Sequence, residues 1–157
     1  MKKLIIMTGV PLSGKTTLVH DMELNDSWKI LSWADVRWTI SKREKISYRD
    51  TYKPNYNDIV RNEFAQKKAD LLATNFNIIA DDSYRPAKMR MGIKRYFQDW
   101  EPFCIYVQTP LEICLERNEK RDYDLRIDRD SLVKSYKYYE EPSLMEGFKE
   151  IHQVKGY

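Results

Sequence analysis

Residues 9 to 16 read Gly-Val-Pro-Leu-Ser-Gly-Lys-Thr, directly after the apolar run Leu4-Ile5-Ile6-Met7. This match to G-x-x-x-x-G-K-[ST] constrains the fold more than any other feature of the chain. Gly9 and Gly14 let the backbone curl so that successive amide N–H groups point inward, a concavity suited to phosphate oxygens. Lys15 is placed to reach the outer phosphates, and the Thr16 hydroxyl to ligate magnesium. A helix starting at Lys15 turns its positive end toward the same anion. The motif belongs between a buried strand and a helix, so 3–8 is read as a strand and 15–25 as a helix. The nucleotide-contacting candidates are Gly9, Pro11, Ser13, Gly14, Lys15, Thr16 and Thr17, with ATP and Mg2+ as the implied ligands.

Apolar runs then alternate with helical patterns. Strands are expected at 29–32, 77–80, 103–107 and 151–154. Helices are expected at 35–41, 57–75, from Pro86 to about 99, from Pro110 to about 118, and from Asp128 or Asp130 to about 140. The polar segment 42–56 gives no clear period. The expected fold class is α/β, a P-loop NTPase-type three-layer sandwich with a parallel sheet of about 4–5 strands and helices on both faces. At 157 residues one domain is expected over 1–157, with a lid around 117–130. In such sheets ligands bind beyond the carboxyl ends of the strands, so the residues just after each strand carry the information.

Hydrophobic residues at 42% and charged residues at 32% fit a globular chain. No run reaches the roughly 18 apolar residues of a membrane span, and the expected location is cytoplasmic. Cys104 and Cys114 sit in apolar patterns and are read as buried reduced thiols, while His20 and His152 are isolated. The net charge of +3 says little by itself. Its distribution says more: Lys42, Arg43, Lys45, Arg49 and Lys53 interleave with Tyr48, Tyr52 and Tyr56. That mixture suits a phosphate backbone with stacked bases, and equally a solvated face.

Acids and arginines mark the other strand ends. Asp35 is the candidate base for an acceptor hydroxyl, or else a helix cap; Arg37 is the candidate for holding an acceptor phosphate. Asp81, with Asp82 as the alternative, is the candidate magnesium carboxylate after the third strand. Arg117 and Arg121 share one helical face and are candidates for folding over the phosphates.

Taken together, MKKLIIMTGVPLSGKTTL, the Asp35/Arg37 segment, IIADDSYRP, the run Arg117-Asn118-Glu119-Lys120-Arg121, IDRDSLVKSYKYYEEP and the tail EGFKEIHQV resemble the kinase domain of bacteriophage-type 5′-polynucleotide kinases. These belong to the wider group of small P-loop kinases, and the resemblance covers nearly the whole chain. It implies Lys15 and Thr16 as nucleotide and magnesium residues, Asp35 as the base, Arg121 with Arg117 as lid residues, and a 5′-hydroxyl end of DNA or RNA as acceptor. One departure matters. The family commonly spaces base and arginine as Asp-x-x-Arg, whereas Asp35 and Arg37 give Asp-x-Arg. Counting from the phosphate loop puts Asp35 in the base slot, and counting back from Arg37 puts Ala34 there. No Asp-x-Asp-Gly-Thr-type motif is present, so no 3′-phosphatase activity is expected.

Two other readings share this loop. A small-molecule kinase for a nucleoside, nucleotide, sugar or antibiotic hydroxyl would have a closed, more apolar acceptor site, for which Trp33 and Trp38 are the candidates. A polynucleotide kinase would have a basic groove along 42–56 with Arg85, Lys88 and Arg90. A nucleotide-dependent switch is the third, although no Asn-Lys-x-Asp guanine-reading motif occurs.

Overall fold

A computed structural model describes residues 1–156; Tyr157, the last residue of the expected domain, lies outside the described residues. Among the described residues, five strands form one parallel sheet: β1 (Lys3–Thr8), β2 (Trp28–Ser32), β3 (Asn77–Asp81), β4 (Glu101–Gln108) and β5 (Glu150–Lys155). Their spatial order is β2-β3-β1-β4-β5. From β1 the chain passes to the edge strand β2, returns to β3 between them, and then crosses to β4 and β5 on the other side. The register sets Met7 beside Asp81, and Asp81 beside Ser32. The ends of β1, β2 and β3 therefore come level on one edge, where the chemistry-bearing residues follow them.

The strands are connected by the α-helices α1 (Lys15–Asp21), α2 (Trp33–Glu44), α3 (Pro54–Leu72), α4 (Ala87–Tyr96), α5 (Leu111–Glu119) and α6 (Arg129–Lys137). One sheet face, with Leu4, Ile6, Leu31, Ile78 and Ala80, packs on residues of α2, α3 and α4. The opposite face, with Met7, Ile79 and Val107, packs on Leu18 and Val19 of α1. A third cluster joins Val10 and Leu12 of the phosphate loop to Cys114 and Leu115 of α5 and Leu132 of α6. Cys104 and Cys114 are buried free thiols, as read from their apolar surroundings.

Most boundaries fall near the expected ones, and the differences have local causes. Helix α1 stops at Asp21, where the Met22 N–H bonds back to the Leu18 carbonyl. Ser32 caps α2 by accepting from the Asp35 N–H, so the helix begins at Trp33, two residues before its expected start. The unreadable segment 42–56 divides into the end of α2, a short 3-10 turn at Arg49–Tyr52 and the start of α3 at Pro54. Short 3-10 turns have no amphipathic period to read. Along α3 it is Val60, Phe64 and Leu71 that face the core, while Ile59 and Leu72 are exposed. Asp128 caps α6 by accepting from the Ser131 N–H.

Arg90 was a candidate groove residue; instead it is fully buried. Its guanidinium makes a two-pronged contact with Glu146, both bonds at 2.8 Å. It also donates to the Tyr84 and Arg85 carbonyls at 2.9 and 2.8 Å. This clamp ties α4 and the segment before β5 to the turn that follows Asp81 and Asp82. Removing one partner of a buried pair leaves the other charge unpaired, which costs about 3–5 kcal/mol. Arg90→Ala should lower unfolding free energy by that order in a denaturant titration; a loss under about 1 kcal/mol would show that the clamp contributes little.

Candidate active site

The phosphate loop is shaped by backbone geometry that few residues tolerate. Gly9 has φ +151°, and an added Cβ would lie 2.5 Å from the Val107 carbonyl oxygen and 2.8 Å from Ser13 Oγ. Gly14 begins α1 in a left-handed conformation at φ +106°. Leu12 also sits left-handed, at φ +67°, and its outward carbonyl accepts from Arg117 at 2.9 Å. The rest of the loop is anchored by neighbouring strand ends. The Gly9 N–H donates to the Ser83 carbonyl at 3.2 Å, and the Thr109 hydroxyl donates to the Ser13 carbonyl at 2.7 Å. Thr109 was not singled out from the sequence; a small polar residue just after an apolar strand was its only signal.

Inside this loop the Lys15 ammonium is buried and donates to the carbonyls of Gly9 and Val10 at 3.1 and 2.9 Å. Burial lowers its pKa to about 8, against the opposing pull of Asp81 and Asp82. The Thr16 hydroxyl donates to Asp81 Oδ2 at 2.9 Å. The other Asp81 oxygen, Oδ1, is buried without a hydrogen-bond partner. Burial pushes the Asp81 pKa up, Thr16 and Lys15 oppose it, and the like charges of Asp82 and Asp35 add to the rise. A hydroxyl beside an orphaned carboxylate oxygen fits a divalent cation. No cluster of three or more His, Cys, Asp or Glu forms an all-protein cage among the described residues. Nucleotide-bound magnesium needs none, since it takes one or two side chains plus phosphates and water.

Cavities lined by Lys15 open on this loop. One, of about 620 Å³, lies against Gly14, Thr16, Thr17, Arg117 and Arg121. A second, of about 510 Å³, runs past Asp81, Asp82 and Arg85 toward Tyr48 and Tyr52. Both include Leu12, Lys15, Thr16 and Arg121 in their walls. Arg117 and Arg121 both edge the first cavity, and Arg121 reaches the second. The expected common helical face is absent, because α5 ends at Glu119 and Arg121 lies in the segment beyond it.

The acceptor-side expectations fare differently. Ala34, not Asp35, lines the second cavity. Asp35 is exposed in the first turn of α2, and its N–H meets the Ser32 cap at 3.3 Å. Arg37 is buried and committed to protein partners: the Thr51 carbonyl at 2.7 Å, Asn57 Oδ1 at 2.9 Å, and the Tyr52 ring 3.7 Å away. Trp33 turns away and stacks on Phe64, with ring centroids 3.7 Å apart. Within the basic run, Arg43 pairs with Glu63 and Lys53 with Asp50, at 2.7 and 2.6 Å. Arg49 instead crosses to the segment between α5 and α6, donating to the Tyr123 and Arg126 carbonyls at 2.8 and 3.2 Å. That segment bridges the top of the second cavity, where Asp124, Leu125 and Arg126 face inward.

The Lys15 shift has a sign that can be tested. A polyanion in the loop favours the ammonium form, so its binding should take up protons at pH near 8. Nucleotide affinity should accordingly fall as pH rises through that value. Calorimetry in buffers of different ionisation enthalpy should show the uptake in the native protein and not in Lys15→Met; equal heats at pH 8 would contradict it. The same shift means the unfolded chain holds this proton longer, so Lys15 adds stability as pH rises from about 8 toward the ordinary 10.5.

Comparison with solved structures returns this fold repeatedly. A protein from Chloroflexus aurantiacus, named only provisionally as a kinase, superposes with TM-score 0.72 at 18% identity, over 98% of this chain and 85% of its own. A Pnkp1/Rnl/Hen1 RNA repair complex contains a chain with TM-score 0.69 at 20% identity, over 87% of this chain and 43% of that one. A gluconokinase from Sinorhizobium meliloti gives TM-score 0.61 at 13% identity, over 98% and 82%. At these identities the likeness is one of fold. None of the curated proteins matches the sequence significantly. No helix among the described residues is long and apolar enough to cross a membrane. The family model described as the AAA domain matches residues 4–142, and with a phosphate loop of this geometry the chain belongs to that family.

Proposed function

We propose that this protein is an ATP-dependent phosphotransferase that carries the γ-phosphoryl group to a hydroxyl, the 5′-OH end of a DNA or RNA strand, in the manner of bacteriophage-type polynucleotide kinases. The observation that carries this reading is the shared wall. Lys15, Thr16 and Arg121 belong to both cavities, so a phosphoryl group bound in one is within reach of a hydroxyl bound in the other. A nucleotide-dependent switch has no need of the second cavity.

The roles follow from the geometry. The loop amides and Lys15 hold the phosphates, and the loop's own carbonyls release the ammonium to them. Thr16 and Asp81 would hold magnesium, which neutralises charge on the outer phosphates. Arg117 and Arg121 counter the negative charge that shifts during transfer. The acceptor oxygen forms its bond to the γ-phosphorus as the bond to the bridging β–γ oxygen breaks, leaving ADP. The hydroxyl proton passes to a carboxylate. Asp35 and Asp82 compete for that role, and the cavity favours Asp82, which edges it beside Lys15 where Asp35 does not. The cations lining this cavity, Lys15, Arg49, Arg85, Arg121 and Arg126, outnumber the carboxylates of Asp81, Asp82 and Asp124, which favours an anionic acceptor over a neutral sugar.

Incubation with γ-labelled ATP, magnesium and a panel of acceptors tests the reading. Label should appear on 5′-OH oligonucleotides and be absent from 5′-phosphorylated controls; label confined to sugars or nucleosides would transfer the function to a small-molecule kinase. Lys15→Ala and Arg121→Ala should each lower turnover on the order of a hundredfold or more. Asp82→Asn should lower turnover more than Asp35→Asn; the reverse ranking would return the proton-accepting role to Asp35.

A further inference from the structure

Among the basic and aromatic residues of 42–56, one aromatic ring is held in a way the phosphotransfer roles do not use. Tyr52 ends the 3-10 turn, lines the second cavity and keeps 57% of its surface exposed. One side of the ring is taken by the Arg37 guanidinium, 3.7 Å from its centroid. That guanidinium is itself fixed by the Thr51 carbonyl and by Asn57. A buried arginine committed to holding a half-exposed tyrosine makes a rigid platform, because the ring loses little further freedom when something stacks on it. Tyr48 meets the ring edge-on at 5.9 Å, and Trp38 stands 4.6 Å beyond Tyr48. The open ring face therefore begins an aromatic track that leads out of the cavity. Arg85 and Arg126 line the same cavity, so cationic groups and the free ring face a common space.

We propose that Tyr52 is a nucleobase-stacking subsite, which holds the base of the acceptor's terminal nucleotide while Arg85 and Arg126 face its phosphate. This rests on the nucleic-acid reading of the acceptor and deepens it. Base–aromatic stacking is tolerant of sequence, since every base offers a π-face. The subsite thus selects for the presence of a base and not for its identity. Arg37 acts through Tyr52 as a positioning residue.

The test compares two 5′-OH oligonucleotides that differ only at the first residue, which carries either a base or an abasic sugar. A second pair, a nucleoside 3′-phosphate and its abasic counterpart, separates a strand end from a free nucleotide. With the native protein the base should lower KM on the order of tenfold. Tyr52→Ala should bring the ratio of the two KM values close to one, and Tyr52→Phe, which keeps the ring, should restore it. A general loss of folding would lower both rates without moving that ratio. Equal KM values in the native protein, or a ratio that survives Tyr52→Ala, would overturn the subsite while leaving the kinase reading intact. Base selectivity with the nucleoside 3′-phosphate alone would support the subsite and overturn the strand end. Transfer to neither pair would overturn both.

Discussion

Hydrogen bonds from three separate parts of the chain hold the phosphate loop: the Ser83 carbonyl on Gly9, the Thr109 hydroxyl on Ser13, and Arg117 on Leu12. The loop cannot hold its shape by local preference alone, because Leu12 sits at φ +67° and Gly9 leaves no room for a Cβ. Each anchor comes from just after a strand or from a helix that follows one. The parallel sheet is therefore the device that brings them together, and the buried lysine depends on all of them. The Lys15 ammonium donates hydrogen bonds to carbonyls of the loop itself, bonds that a phosphate group can take over directly.

The same strand ends build both sides of the site. Asp81 is fixed by its register beside Met7 and Ser32, and this places its carboxylate at the Thr16 hydroxyl. Its second oxygen is left without a partner in a buried setting, which is costly unless a cation or donor completes it. The turn that carries Asp82, Ser83 and Tyr84 is in turn held from below by the Arg90–Glu146 clamp. Stability and chemistry meet in that turn. The clamp fixes the backbone from the core side, while the carboxylates of Asp81 and Asp82 line the second cavity.

What the sequence made legible was whatever is contiguous or lies at the end of a strongly apolar strand. The loop from Gly9 to Thr16 could be read because all its functional atoms lie within eight residues after a buried strand. Asp81 could be read because Ile78-Ile79-Ala80 announces a strand that ends there. The acceptor side resisted because a helix turns about 100° per residue, so one position of uncertainty at the start of α2 exchanges Ala34 for Asp35. Arg37 reads as a phosphate ligand until Thr51 and Asn57, far along the chain, are seen to claim its guanidinium. Arg90 and Glu146 lie 56 residues apart, and no local pattern predicts their pairing. Trp33 left the site for a comparable reason: Phe64 on α3 offers it a stacked partner in the core.

On the proposed reading, phosphoryl donor and acceptor meet where the two cavities share a wall of Lys15, Thr16 and Arg121. A bisubstrate adduct tests it most directly: adenosine joined through four phosphates to the 5′ carbon of a short oligonucleotide. This compound should bind more tightly than ATP or the oligonucleotide alone and compete with both. Competition with ATP only, at an affinity no better than that of ATP, would mean that the second cavity is not the acceptor site.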